Sequence, residues 1–77
     1  MAHQTEFLID RMNEEKAKAK AATLVRVRAL HERAARSWEK LANRAIAADK
    51  LRAAEEKRKA KMRAEAEAKR ETELADA

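Results

Sequence analysis

Apolar side chains recur every three or four residues between Leu24 and Arg52, which is the most regular hydrophobic pattern in the chain. Each residue of an α-helix advances by about 100°, so this spacing places these side chains within roughly a third of the circumference. The pattern predicts an amphipathic helix over residues 24–52. Its predicted buried stripe comprises Leu24, Val27, Leu30, Ala34, Trp38, Leu41, Ala45 and Ala48.

Read as heptads, this helix has two seam positions. One contains Leu24, His31, Trp38 and Ala45, and the other contains Val27, Ala34, Leu41 and Ala48. Three of these eight residues are alanine, which lets a partner helix approach closely, and Trp38 supplies one large anchor. We therefore expect an interface centred on Trp38 rather than a leucine zipper.

Residues 1–23 form the first predicted segment, which is also helical. Thr5 is predicted to be its N-cap, because a hydroxyl there can satisfy a free backbone N–H group. Three apolar side chains, Phe7, Leu8 and Met12, either cover the main helix or a neighbouring subunit or dock in a partner's groove. Residues 13–23 lack large apolar side chains, so the helix either continues exposed or bends near Asn13 or Thr23.

Residues 53–77 alternate acidic and basic side chains around alanine, which predicts a charged, solvated helical tail. The whole chain contains no Gly and no Pro, and 43% of its residues are charged. The predicted fold is all-α, with one long coiled-coil-like helix between a short N-terminal helix and the charged C-terminal helix. A turn at residues 43–49, which would fold the long helix into a hairpin, remains an alternative.

Large apolar residues are too few for a self-sufficient core in a chain of 77 residues. Oligomerisation or docking on a larger complex would compensate for this shortage. We therefore expect a helical assembly protein that acts through the Leu24–Arg52 face, either with itself or with a protein partner. A structural role in a large particle such as a virion requires the same docked helix and stays open.

The net charge of +5 is concentrated on the middle of the chain. Residues 24–63 hold thirteen bases and five acids, whereas residues 64–77 hold two bases and five acids. A set of basic side chains lines or adjoins one flank of the stripe: Arg26, Arg33, Arg36, Lys40 and Arg44. This basic flank either tunes a protein interface or follows the phosphates of DNA or RNA, which is the alternative function.

Other function classes lack the residues that they require. The chain has no Cys, and His31 has no metal-ligating neighbour at helical spacing, so we expect no metal site and no cofactor. Ser37 is the only serine and has no base arranged beside it, so we expect no enzyme and no small-molecule substrate. The longest run of large apolar residues is too short for a membrane span or a signal peptide, which favours a soluble intracellular protein.

Overall fold

The computed structural model describes the backbone of residues 2–76, which forms two α-helices, and the side chains of residues 4–76. Helix α1 is Ala2–Ala21 (20 residues) and helix α2 is Val25–Asp76 (52 residues). The described residues contain no strand, so the all-α prediction is confirmed. Met1 and Ala77, the outermost residues of the predicted segments, lie outside this range.

Helix α1 runs without interruption past Asn13, so the predicted weak point there is not a bend. Thr5 lies inside this helix and is only 9% exposed, so its prediction as the N-cap is wrong. Alanine and long unbranched side chains make up much of α1, and these residues lose little rotamer freedom in a helix. Their helix propensity extends the element over the alternating Lys and Ala residues before Ala21.

The chain reverses at residues 22–24, which is the second of the two predicted bend positions. The Ala22 N–H group donates to the Lys18 carbonyl at 3.0 Å, and Arg28 Nη2 donates to the Ala22 carbonyl at 3.0 Å. A hydrogen bond from the Arg28 N–H group to the Leu24 carbonyl then opens α2 at 2.9 Å. The turn considered at residues 43–49 does not form, because α2 continues through it.

After the reversal, α1 lies antiparallel along the first half of α2. Thr5 meets Asp49, and Glu15 meets His31, so contacts approach the turn as the residue numbers converge. The α2 residues on this side recur every three or four positions, and we call them the alanine seam: His31, Ala35, Trp38, Ala42, Ala45 and Asp49. Ala35 and Ala42 are 5% and 1% exposed, which places their methyl groups directly against α1.

The alanine seam corrects the predicted heptad register in one respect. One predicted seam position, with His31, Trp38 and Ala45, does face α1. The other was predicted at Ala34, Leu41 and Ala48, but the residues that contact α1 are each one position later: Ala35 and Ala42 are buried, and the half-buried Asp49 bonds to Thr5. A shift of one residue rotates that edge by about 100°, because this is the angular step of an α-helix. Leu41 consequently lies beside the contact with α1 and is 43% exposed.

Residues 50–76 form the tail, a single helix in which every side chain is exposed. The heptad positions that continue the alanine seam are charged here: Arg52, Glu56, Lys59 and Arg63. Because charged side chains resist burial, this side of α2 offers no apolar surface to another helix beyond Asp49. The resulting molecule is 79 Å long and about 14 Å wide between Cα atoms. Neither helix, within the described residues, has a stretch both long and apolar enough to span a bilayer.

Candidate interaction surface

An aromatic cluster lies at the middle of the contact between the helices. The Phe7 and Trp38 rings meet edge to face, with centroids 6.2 Å apart and an interplanar angle of 88°. The Arg11 guanidinium lies 5.1 Å from the centroid of the indole ring, where the ring quadrupole attracts a cation. Phe7 remains 55% exposed, so the contact with Trp38 covers only part of this side chain.

Two polar contacts bracket the cluster, one towards each end of α1. Near the turn, Glu15 Oε2 accepts a hydrogen bond from His31 Nδ1 at 2.6 Å. At the far end, Thr5 Oγ1 donates to Asp49 Oδ2 at 2.6 Å. Glu15 and Thr5 are both buried, so each needs the partner that α2 provides. These contacts set the register in which α1 lies on the alanine seam.

Both carboxylates titrate below their ordinary range. The hydrogen bond from His31 is the largest influence that lowers the pKa of Glu15, and the nearby Lys18 adds to it. The hydrogen bond from Thr5 lowers the pKa of Asp49, with a smaller contribution from Arg52. A hydrogen bond to the ionised form of a carboxyl group favours that form. The helix contact therefore favours charged Glu15 and charged Asp49.

Acid should weaken the contact between α1 and α2. Because the pKa of Glu15 is lower in the folded chain than its ordinary value of 4.5, its contribution to stability is complete above pH 4.5. That contribution is lost as the pH falls further, through the lowered pKa of the folded state. We expect the free energy of unfolding to decrease as the pH is lowered through this range. The decrease should be smaller in Glu15→Gln, which lacks the carboxyl group.

Urea unfolding followed by circular dichroism at several pH values measures this effect. The matched control is Glu32→Gln, which removes an exposed carboxylate from the same turn of α2 as His31. An acid dependence that is equal in Glu15→Gln, Glu32→Gln and the unmodified chain would contradict the prediction.

The predicted interface residues divide into two groups. Trp38, Ala45, Leu8 and Met12 are half-buried on the side where α1 and α2 meet. The others extend away from that contact or lie at its edge, and their exposed fractions are 67% for Leu24, 39% for Val27, 60% for Leu30 and 43% for Leu41. Ala34 is half-buried between the two groups. The predicted single stripe is thus two adjacent surfaces, of which α1 covers one.

The uncovered surface has a heptad spacing of its own. Its residues are separated by alternate steps of three and four, and we call them the lateral stripe: Val27, Leu30, Ala34, Ser37, Leu41, Arg44, Ala48 and Leu51. Leu51, which is 72% exposed, was outside the predicted interface although its spacing from Ala48 would have placed it there. A helix with two such stripes can pack against two neighbouring helices at once. Within this chain, α2 packs against one, which is α1.

A shallow groove runs along the lateral stripe where α1 approaches it. The groove has a volume of about 300 Å³, and its walls include Leu8 on α1 and Leu41, Arg44 and Ala48 on α2. The lining also includes Gln4, Thr5, Asp49 and Arg52, so apolar side chains are mixed with polar and charged ones. A groove of this mixed character suits an amphipathic helix. The lateral stripe and this groove together form the candidate interaction surface.

The predicted basic flank lies on a side of α2 that α1 does not cover. All five side chains are exposed. At about 100° per residue, Arg26, Arg33, Lys40 and Arg44 lie within about 40° of one another, and Arg36 lies about 40° further round the helix. Arg44 is also a member of the lateral stripe. The tail carries a separate set of bases, among which Arg58 pairs with Glu55 at 2.6 Å.

Among the side chains of residues 4–76, no group of three His, Asp or Glu is arranged to hold a metal ion. His31 bonds to Glu15. Comparisons with protein-family models, with curated proteins and with solved structures find no match to this chain.

Proposed function

We propose that this chain is a non-catalytic helical assembly protein that binds another helical surface through its lateral stripe. The observation that carries the proposal is the second heptad pattern of α2, which exposes Val27, Leu30 and Leu41 beside the contact with α1. Exposed apolar side chains that are scattered singly need no explanation, but a contiguous row of them marks a binding surface.

The composition of the α1–α2 contact supports the same proposal. The buried apolar residues of the described chain are Ala19, Ala35 and Ala42, and no large side chain among residues 4–76 is fully buried. Burial of a methyl group contributes far less than burial of a leucine or a tryptophan, since the hydrophobic gain follows the apolar area removed from water. A partner on the lateral stripe would add the large side chains that this contact lacks.

Site-specific photocrosslinking tests the proposal. Leu30 is replaced with benzoylphenylalanine in cells that produce the protein, and Glu32 is replaced in a matched control on another side of the same turn. We expect protein adducts at position 30 and few at position 32, because only position 30 lies in the proposed interface. Equal adduct yields at the two positions would contradict a binding function for the lateral stripe.

A second candidate function, binding of DNA or RNA, rests on a different part of the molecule. Residues 50–63 carry seven bases and two acids on a helix whose every side is exposed. Such a surface suits phosphate groups, and its binding would weaken steeply with added salt. In the same experiment, benzoylphenylalanine at Met62 would then form adducts with nucleic acid that disappear when the salt concentration is raised.

A further inference from the structure

We infer that the partner on the lateral stripe is a second copy of this chain, packed antiparallel to the first to form a four-helix bundle. This inference rests on the proposed function, because it names the occupant of the same surface. It is carried by the order of large and small side chains along the stripe, by the position of the aromatic cluster and by the distribution of charge in the tail.

Side-chain size along the lateral stripe is self-complementary in one antiparallel register. When two copies are related by a two-fold axis at the level of Glu39, stripe residues whose numbers add to 78 lie opposite one another. Leu30 then faces Ala48 of the second copy, and Leu41 faces Ser37 of the second copy. Large side chains alternate with small ones across the contact, which is the condition for interdigitation at native packing density.

The remaining pairs fit the same register. Arg44 faces Ala34 of the second copy, whose methyl group leaves room for the aliphatic part of the arginine while the guanidinium reaches water. Val27 faces Leu51 of the second copy, so an apolar pair closes each end. A shift by one heptad would instead place Leu30 against Leu41 and Ala34 against Ser37, which crowds one layer and leaves a gap in the next.

The two-fold axis passes close to the aromatic cluster of each copy. Trp38 lies one residue from the level of the axis, and Phe7 and Arg11 lie on its ring. In the four-helix bundle, the exposed half of Phe7 would be covered by α1 of the second copy. The aromatic cluster, which is partly exposed in the single chain, would therefore lie at the centre of the bundle.

Charge favours the antiparallel arrangement over the parallel one. In a parallel pair, the two tails would run side by side with the seven bases and two acids of residues 50–63 adjacent in both copies. In the antiparallel pair, the tails leave the bundle at opposite ends, beyond the distance at which like charges repel at physiological salt. Each α2 would then be covered along residues 27–51 and free along the rest of its tail.

The two arrangements differ in length, which X-ray scattering measures. One chain is 79 Å long. The antiparallel dimer extends from the tail of one copy to the tail of the other, which is about 110 Å at 1.5 Å per residue. We expect sedimentation equilibrium to give twice the chain mass, and scattering to give the longer dimension. A dimer no longer than one chain would overturn the inference.

Cysteine crosslinking tests the register, and the absence of native Cys makes it specific. Leu30→Cys and Ala48→Cys are prepared as separate variants, oxidised alone and then oxidised as a mixture. Equivalent cysteines in either pure variant would lie roughly 27 Å apart at 1.5 Å per residue, which is too far for a disulfide. We expect a disulfide-linked dimer only in the mixture.

The matched control uses Ala29→Cys and Lys50→Cys, which lie at similar levels on another side of α2 and should not crosslink when mixed. Circular dichroism checks that all four variants keep the helix content of the unmodified chain. Crosslinking in pure Leu30→Cys would show a parallel pair and overturn the inference.

A chain that stays monomeric at every concentration at which it remains in solution would also overturn the inference. If photocrosslinking at position 30 then captures a different protein, the proposed function stands without the second copy. If position 30 captures nothing above its control, both the proposed function and the inference fail.

Discussion

Replacing Ala42 with Glu should lower the free energy of unfolding by about 3 kcal/mol, which is the largest effect that we expect from one substitution outside the lateral stripe. Ala42 is 1% exposed, the lowest value among the buried residues, and its neighbours on the alanine seam contact α1. A glutamate there must either displace α1 or bury a carboxylate without a partner. Thermal and urea unfolding followed by circular dichroism at 222 nm measure the loss.

Ala47→Glu is the matched control for this prediction. Ala47 is exposed and lies five residues further along α2, so the same substitution there has the same helix propensity and does not contact α1. We expect its free energy of unfolding to stay within about 0.5 kcal/mol of the unmodified chain. Equal losses in the two variants would show that α1 does not pack on the alanine seam.

Replacing Trp38 with Ala should have the second-largest effect, a loss of about 2 kcal/mol or more in the free energy of unfolding. The substitution removes the edge-to-face contact with Phe7 and the ring on which the Arg11 guanidinium lies. The ring is only half-buried, which places the expected loss below that of a fully buried tryptophan. Urea unfolding at fixed protein concentration measures it, since association would add to apparent stability.

Leu74→Ala provides the comparison for Trp38→Ala. Leu74 is a large apolar side chain of the same helix and is 70% exposed in the tail, so its truncation removes little buried area. We expect Leu74→Ala to leave the unfolding midpoint almost unchanged. A Trp38→Ala variant as stable as Leu74→Ala would remove the aromatic cluster from the set of contacts that stabilise the helix pair.

Both stability predictions depend on α1, whose position could only partly be read from the sequence. Leu8 and Met12 indicated that the N-terminal segment has an apolar side, and Thr23 was one of two positions at which the chain could bend. The absence of Gly and Pro removed the usual turn signals. The reversal at residues 22–24 is instead closed by backbone hydrogen bonds and by Arg28, a contact between residues six positions apart that helical periodicity does not indicate.

The sequence was also ambiguous about which stripe of α2 would be covered. Alanine occurs at 34 and 35, and Leu41 is adjacent to Ala42, so two neighbouring stripes have nearly the same spacing. The periodicity placed Trp38, Ala45 and Leu41 on one stripe, whereas the structure half-buries Trp38 and Ala45 and leaves Leu41 43% exposed. Close approach of α1 favours Ala42 over Leu41, because a leucine at the contact would hold the helices further apart.

The amino-acid sequence by itself determined the helical class, the amphipathic character of residues 24–52 and the solvated nature of the tail. These properties follow from side-chain propensity and from periodicity along one helix, which are local. The tertiary structure alone decided that α1 packs on the alanine seam, that Glu15 meets His31 and Thr5 meets Asp49, and that the lateral stripe remains open. Those outcomes depend on how closely two helices can approach, which is a property of the pair and not of either segment.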